Sequence, residues 1–274
     1  MNQPGRVVVG VASAGTRSAV RYAAAEADAR HADLHLVTAR PAATGGRDPD
    51  EAEQARLLAT MADEIADEWP ELFIGTELVA GPPAAALRAA ASEAALLVVG
   101  ADTAGSFAEA ISGSVPGELL TTAPCPLVVM PGQEGMTHEA GPIVVAFDGP
   151  DTSRAALVYA FAAAARSGNE VTVLHCGPSA TGGGAGGDLA LVGFRELYPD
   201  VPVTVETSQA PPKEALAAAA RTASALVLGS RGRGGLASGR FGSVTRDLIR
   251  RSPCPVVVAR ATNAGPSQTP GEQR

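Results

Sequence analysis

The sequence predicts an α/β fold built twice: two tandem domains, each a parallel sheet with helices on both faces. Three observations predict it. A block of sequence recurs at an offset of 129 residues. Short Val/Ile/Leu runs alternate with Ala-rich or amphipathic stretches through the whole chain, which implies parallel strands joined by right-handed helical crossovers. The runs are apolar at every position, as strands covered on both faces must be.

The repeat is read directly. Pro124-Cys125-Pro126-Leu127-Val128-Val129 returns as Pro253-Cys254-Pro255-Val256-Val257-Val258. Leu96-Leu97-Val98-Val99-Gly100 returns as Ala225-Leu226-Val227-Leu228-Gly229, and Gly113-Ser114-Val115 as Gly242-Ser243-Val244. The opening strands, Val7–Ala12 and Ile143–Asp148, match at an offset of 136 instead, so the first half holds seven extra residues before its fourth strand. The Arg40–Asp50 loop and the helix after it have room for them. Domains are expected over 1–136 and 137–262, with a linker at Pro131–Gly141 and a polar, flexible tail over 263–274.

In order, the first half is expected to carry strands near 6–11, 34–39, 73–79, 95–100 and 126–130. The second half is expected to carry them at 142–147, 171–176, 202–207, 224–229 and 255–260. Its helices are expected over Thr152–Arg166, Asp188–Tyr198, Pro212–Thr222 and Ser243–Arg251. With only 4% aromatic residues, the core must rest on aliphatics and on alanine, which lets helices lie close against a sheet.

Composition excludes several classes. At 46% hydrophobic and 18% charged the chain is globular, not disordered. The longest small-apolar run, Ala155–Ala165, spans 11 residues, against the roughly 20 a membrane helix needs. No signal peptide is legible ahead of the first strand, so a cytoplasmic protein is expected. Net charge is −8, divided unevenly. Residues 1–136 carry 18 acidic and 8 basic side chains (−10), and residues 137–274 carry 11 and 13 (+2). An acidic half argues against a nucleic-acid partner. Cys125, Cys176 and Cys254 have no metal-ligand spacing and read as buried reduced thiols.

The most informative stretch is Gly229-Ser230-Arg231-Gly232-Arg233-Gly234-Gly235-Leu236-Ala237-Ser238-Gly239-Arg240-Phe241-Gly242-Ser243. It leaves the fourth strand and enters a helix. Glycines allow close backbone approach to a ligand, free N–H groups at a helix start favour an anion, and the loop holds three arginines and no acid. Polyphosphate suits that chemistry. No Gly-Lys-Ser/Thr closes the stretch, so it is not a Walker loop. It also stands in the wrong strand–helix turn for a dinucleotide fingerprint. The competing reading is a plain Gly-rich loop with Ser243 as a helix cap.

Gly229, two residues, Gly232, nine residues, then Gly242-Ser243 resembles the G-x2-G-x9-G-(S/T) nucleotide motif of the universal stress protein family. Ile143–Gly149, a strand ending in Asp-Gly, and Pro253–Val258 resemble that family's first and last strands. The resemblance covers nearly the whole chain, twice. It implies Rossmann-like domains with five parallel strands in the order 3-2-1-4-5, so that the first and fourth strands flank the switch point where open α/β sheets bind ligands. It further implies that Asp148 accepts hydrogen bonds from adenosine and that main chain near Val173 meets the adenine edge. Leu228, Gly229 and Gly232 would pass close to ribose and phosphates, while Gly242, Ser243, Val244 and Thr245 would hold the phosphates. Arg231 and Arg233 are added on charge alone and could equally be solvated. Asp148 could instead simply make a turn and cap a helix.

The first half departs from this pattern. Thr103 takes the second motif glycine's place, Asp102 and Glu109 replace the arginines, and Ala12 stands where Asp148 does. It is expected to bind nucleotide far more weakly or not at all, with Gly113-Ser114 a plain helix start. The two halves are expected to pair through their fifth strands as an intramolecular pseudo-dimer; a homodimer is the alternative.

His35 and His175 have no second ligand at metal spacing and no legible carboxylate partner. Lys213, the only lysine, lies outside the loop. No acid set for efficient phosphoryl transfer is visible. The expected function is binding of an adenine nucleotide, ATP or AMP, with or without Mg2+, in a stress-response protein that orders its loop and signals to a protein partner. A nucleotide-free interaction scaffold, a slow ATPase or adenylyl transferase, and a cyclic-AMP binder are the rivals.

Overall fold

The computed structural model of the chain describes residues 5–40, 49–101, 114–132, 140–176, 183–230 and 242–260. The expected linker's middle, the tail over 263–274, and Arg231, Gly232 and Arg233 lie outside the described residues. The first half runs β1 (Arg6–Gly10), α1 (Arg17–Arg30), β2 (Asp33–Arg40), α2 (Pro49–Glu68) and β3 (Ile74–Ala80). It continues through α3 (Pro83–Ala90), β4 (Ala94–Gly100), α4 (Val115–Thr122) and β5 (Leu127–Met130). The second half runs β6 (Ile143–Phe147), α5 (Pro150–Ser167), β7 (Val171–Cys176), α6 (Gly183–Leu197) and β8 (Val203–Ser208). It ends with α7 (Pro212–Ala219), β9 (Ala225–Gly229), α8 (Ser243–Arg251) and β10 (Val256–Ala259).

All ten strands form one sheet in the order β3-β2-β1-β4-β5-β10-β9-β6-β7-β8. Each half therefore has the order 3-2-1-4-5 and is parallel throughout. The halves meet at one antiparallel seam, where Val256, Val257 and Val258 pair with Val129, Val128 and Leu127. All six side chains are at most 2% exposed, so neither fifth strand is left as an open edge. Arg260, just past the seam, donates to the carbonyls of Leu119 and Leu120 at the end of α4, where a helix's negative pole favours a cation.

Alternate residues of each strand feed two cores. On one face Val7, Val9, Leu34, Leu36, Ile143, Val145, Val171 and Val173 meet α1, α2, α5 and α6. On the other, Val8, Leu97, Val99, Val144, Leu226, Leu228, Val256 and Val258 meet α3, α4, α7 and α8. Alanine does what the composition implies. Ala19, Ala23, Ala24 and Ala27 of α1, and Ala156, Ala160 and Ala164 of α5, are all at most 1% exposed against the sheet.

The seven extra residues fall where expected in part: α2 has 20 residues and α6 has 15, a difference of five. Helix α6 also starts at Gly183, earlier than expected, through a Gly-rich run whose helix propensity is about 1 kcal/mol per glycine below alanine. Helix α5 starts at Pro150, whose fixed φ suits a first helical position. Helix α7 closes at Ala219, with Arg221 and Thr222 bonded three residues back in a tightened last turn.

Of the three thiols, Cys125 and Cys254 are buried while Cys176 is half-buried, and none is in a disulfide. Burial pushes the Cys125 thiol up to about 12. His35 has a carboxylate neighbour that the sequence did not reveal: its Nε2 lies 3.4 Å from Glu77 Oε2 on β3. Burial, helped by Arg6, outweighs Glu77 and holds the imidazole below its usual range. Around pH 6 the unfolded chain therefore binds more protons than the folded one, and the contribution of His35 to stability is lost as pH falls from 6.5 downwards. Urea midpoints measured at neutral pH and near pH 5.5 are expected to differ less in His35→Gln than in the parent chain; an unchanged difference would remove this account of His35.

Candidate functional site

The strand order reverses between β6 and β9. Ile143, Val144 and Val145 pair in parallel with Ala225, Leu226 and Val227, which brings the carboxyl ends of β6 and β9 side by side. From there the chain departs in opposite directions. β6 leads into α5 on one face and onward to β7; β9 leads towards α8 on the other face and onward to β10. In doubly wound sheets a divergence of this kind is the usual position of a ligand crevice.

Asp148 is the first residue beyond β6 and is half-buried. Its N–H donates to the Ser153 hydroxyl at 2.9 Å, and Ser153 is itself 2% exposed. The next residue, Gly149, has φ +124°, a conformation that strains any L side chain, and serves as the N-cap of α5 without a side-chain cap. Ser153 N–H donates to the Gly149 carbonyl at 3.0 Å. The backbone of Asp148 is thus fixed just beyond the end of β6, and Gly149 is the N-cap of α5.

On the other wall, Leu228 is buried against the α7/α8 core and Gly229 ends β9 beside Ala259. Ser230 N–H donates to the Ala259 carbonyl at 2.9 Å. The chain is described again at Gly242, the N-cap of α8, with Gly242 and Ser243 exposed and Val244 and Thr245 half-buried. Among the described residues no side chain caps α8; its first turn holds no acid, and Asp247 follows directly. Ser243 is the first helical residue and not the cap, so the helix start presents backbone N–H groups and the positive end of its dipole.

Val173 is placed differently from what the family resemblance implies. It sits mid-strand in β7, fully buried, paired with Val145 on one side and Val205 on the other. The β7 residues at the strand's carboxyl end are His175 and Cys176, both half-buried. His175 lies opposite Phe147, edge-on to its ring at 6.0 Å, and its Nδ1 is buried without a hydrogen-bond partner. Arg246 stands in the first turn of α8. At the 129-residue offset it replaces Gly117.

The same comparison separates the two halves. In α4, the Ser114 hydroxyl accepts from Gly117 N–H at 3.2 Å and so caps its own helix. Pro116 stands at the Thr245 position, removing both an N–H and a hydroxyl. Ala12 takes the place of Asp148, and the neighbouring Val11 carbonyl is engaged by Thr38 Oγ1 at 2.8 Å. Among the described residues no three His, Cys, Asp or Glu side chains cluster as metal ligands, and no helix is long and apolar enough to cross a membrane.

The fold and site define a tandem Rossmann-like protein with a candidate anion-binding crevice in its second repeat. The sequence model of the universal stress protein family matches residues 4–131, 140–197 and 188–260. Universal stress proteins Rv2005c and Rv2623 of Mycobacterium tuberculosis are each 31% identical to this chain over 284 residues, covering 93% of it and 96% of their own length. A universal stress protein of Archaeoglobus fulgidus, solved by crystallography, superposes with a TM-score of 0.73 at 20% identity, over 94% of this chain and 97% of its own. The chain belongs to the universal stress protein family, in a tandem two-domain arrangement.

Proposed function

We propose that the second half binds one adenine nucleotide, ATP in the first instance, in the crevice between Asp148 and the Gly229–Thr245 segment, and that the first half binds none of comparable affinity. What supports this is the parallel pairing of β6 with β9 where the strand order reverses, together with the start of α8, whose N-cap Gly242 makes no side-chain cap. Alternation along β6 sends Val144 and Ala146 to the α7/α8 face, and continued to Asp148 it directs the carboxylate towards the wall that α8 closes. In that arrangement Asp148 accepts from adenosine, while Ser243, Val244 and Thr245 offer N–H groups and hydroxyls to the phosphates. Gly232, Arg231 and Arg233 complete the loop by the motif spacing and charge. His175 and Cys176, at the end of β7, are better placed than Val173 to meet the base. Mg2+ would be held chiefly by phosphate oxygens, as is usual for nucleotide magnesium.

The proposed role is nucleotide-dependent signalling to a protein partner in the cytoplasm, since the sequence shows no acid set for efficient phosphoryl transfer. The test is direct. Protein purified without added nucleotide, then heat-denatured, is expected to release adenine nucleotide detectable by mass spectrometry. Asp148→Ala is expected to release little and to bind added ATP about 10–100-fold more weakly, the cost of losing hydrogen bonds to a charged acceptor. Release and affinity matching the parent chain would exclude Asp148 from the site.

A further inference from the structure

Helix α8 begins with a charge arrangement that favours an anion in front of it. Its N-cap Gly242 makes no side-chain cap, and its first turn carries Arg246 and no acid. The positive pole of a helix, roughly half a unit charge, repels a cation placed there and attracts an anion. Two other helices of this repeat follow the ordinary rule: α5 and α7 carry Asp151 and Glu214 in their first turns. At the repeat offset the first half has Gly117 instead of Arg246, and α4 forms all the same, so the cation is not a requirement of the fold.

Arg246 is also the arginine of α8 that has no carboxylate. Asp247 is taken by Arg250 at 3.1 Å and by Arg251 at 3.3 Å, and among the described residues no acid pairs with Arg246. Arg246 is half-buried, so water and salt screen its charge less than that of a fully exposed arginine. Helical side chains lean towards the amino terminus, which carries Arg246 back over Gly242 and Ser243. A Cβ built on Gly242 meets nothing within 4 Å, so the helix is open at that end. An unpaired cation therefore stands beside free N–H groups, both accessible and both suited to negative charge.

We propose that Arg246 sets the phosphate count of the ligand, pairing with phosphates beyond the first and selecting nucleoside triphosphates over monophosphates and cyclic monophosphates. This rests on the nucleotide reading above and adds to it the residue that discriminates. The N–H groups at the α8 start can satisfy the oxygens of one phosphate, and the fractional charge of the helix pole matches part of its charge. A full positive charge one turn further along gains most when more phosphate is present, and ATP carries roughly twice the negative charge of AMP at neutral pH. Charge, more than a fork of hydrogen bonds, does the reading, so lysine at this position retains part of the effect.

Calorimetric titration of the full chain with ATP, ADP, AMP and cyclic AMP tests this, in EDTA so that no Mg2+ masks the phosphate charge. The parent chain is expected to bind ATP at least about tenfold more tightly than AMP, with ADP between them and cyclic AMP weakest. Arg246→Gln is expected to narrow the ATP-to-AMP ratio about 3–10-fold, and Arg246→Lys to keep a ratio nearer the parent's. Without nucleotide, Arg246→Gln is expected to melt no lower than the parent chain, because it takes a cation away from a positive pole. A lower melting point would make Arg246 a structural residue and overturn the proposal. Equal affinities for ATP and AMP in the parent, or a ratio unmoved by Arg246→Gln, would also overturn it; if Asp148→Ala still weakens binding in that case, the nucleotide site stands without Arg246. No binding of any nucleotide, or binding indifferent to Asp148→Ala, would sink the site and this inference together.

Discussion

A chain carrying Thr245→Pro together with Arg246→Gly is expected to fold normally and to bind ATP about 30–100-fold more weakly. The two changes rebuild the start of α8 as the start of α4, where Pro116 and Gly117 occupy the same repeat positions and an eight-residue helix forms regardless. A proline in the first turn costs the helix no internal hydrogen bond, because those N–H groups have no acceptor within the helix. In the proposed site it removes one donor to a phosphate, together with the Thr245 hydroxyl. A hydrogen bond to a charged acceptor contributes about 1.5–3 kcal/mol, and removing the Arg246 cation adds a smaller loss. Calorimetric titration reads the affinity, and circular dichroism confirms the fold. An affinity within threefold of the parent would mean that the α8 start does not hold the phosphates.

The largest stability effect is expected at Phe161. Its side chain is fully buried, stacked on Phe194 at 5.0 Å and tilted against Tyr198 at 5.8 Å. In a chain with few aromatics, this cluster is what fastens α6 to α5 and so to the sheet. Phe161→Ala leaves a cavity the rigid sheet cannot fill and is expected to cost about 3–5 kcal/mol. Urea unfolding followed by circular dichroism checks it, with the loss confined to a second-half transition if the repeats unfold separately. A loss under about 1 kcal/mol would show that the surrounding helices collapse into the space.

Most of the fold is legible in the sequence because its signals are local and doubled. The Val/Leu runs of β6, β7 and β9 can only be buried strands, and the repeat lets each half check the other. The Asp148–Gly229 convergence is legible too, since family strand order places both residues at one switch point and the observed pairing of β6 with β9 agrees. What escaped was set by register and tertiary contact. Val173 and Cys176 lie on one short strand, and only the ladder with β6 and β8 shows that the first is mid-strand and the second at the end. His35 and Glu77 are 42 positions apart and meet across the β2–β3 pair.

The count of ATP molecules bound by the intact chain tests the central claim most directly. Calorimetric titration of the parent chain and of Asp148→Ala is expected to give one site per chain in the first and a loss of at least tenfold in affinity in the second. Two equivalent sites, or an undiminished site in Asp148→Ala, would contradict the assignment of the nucleotide to the second repeat.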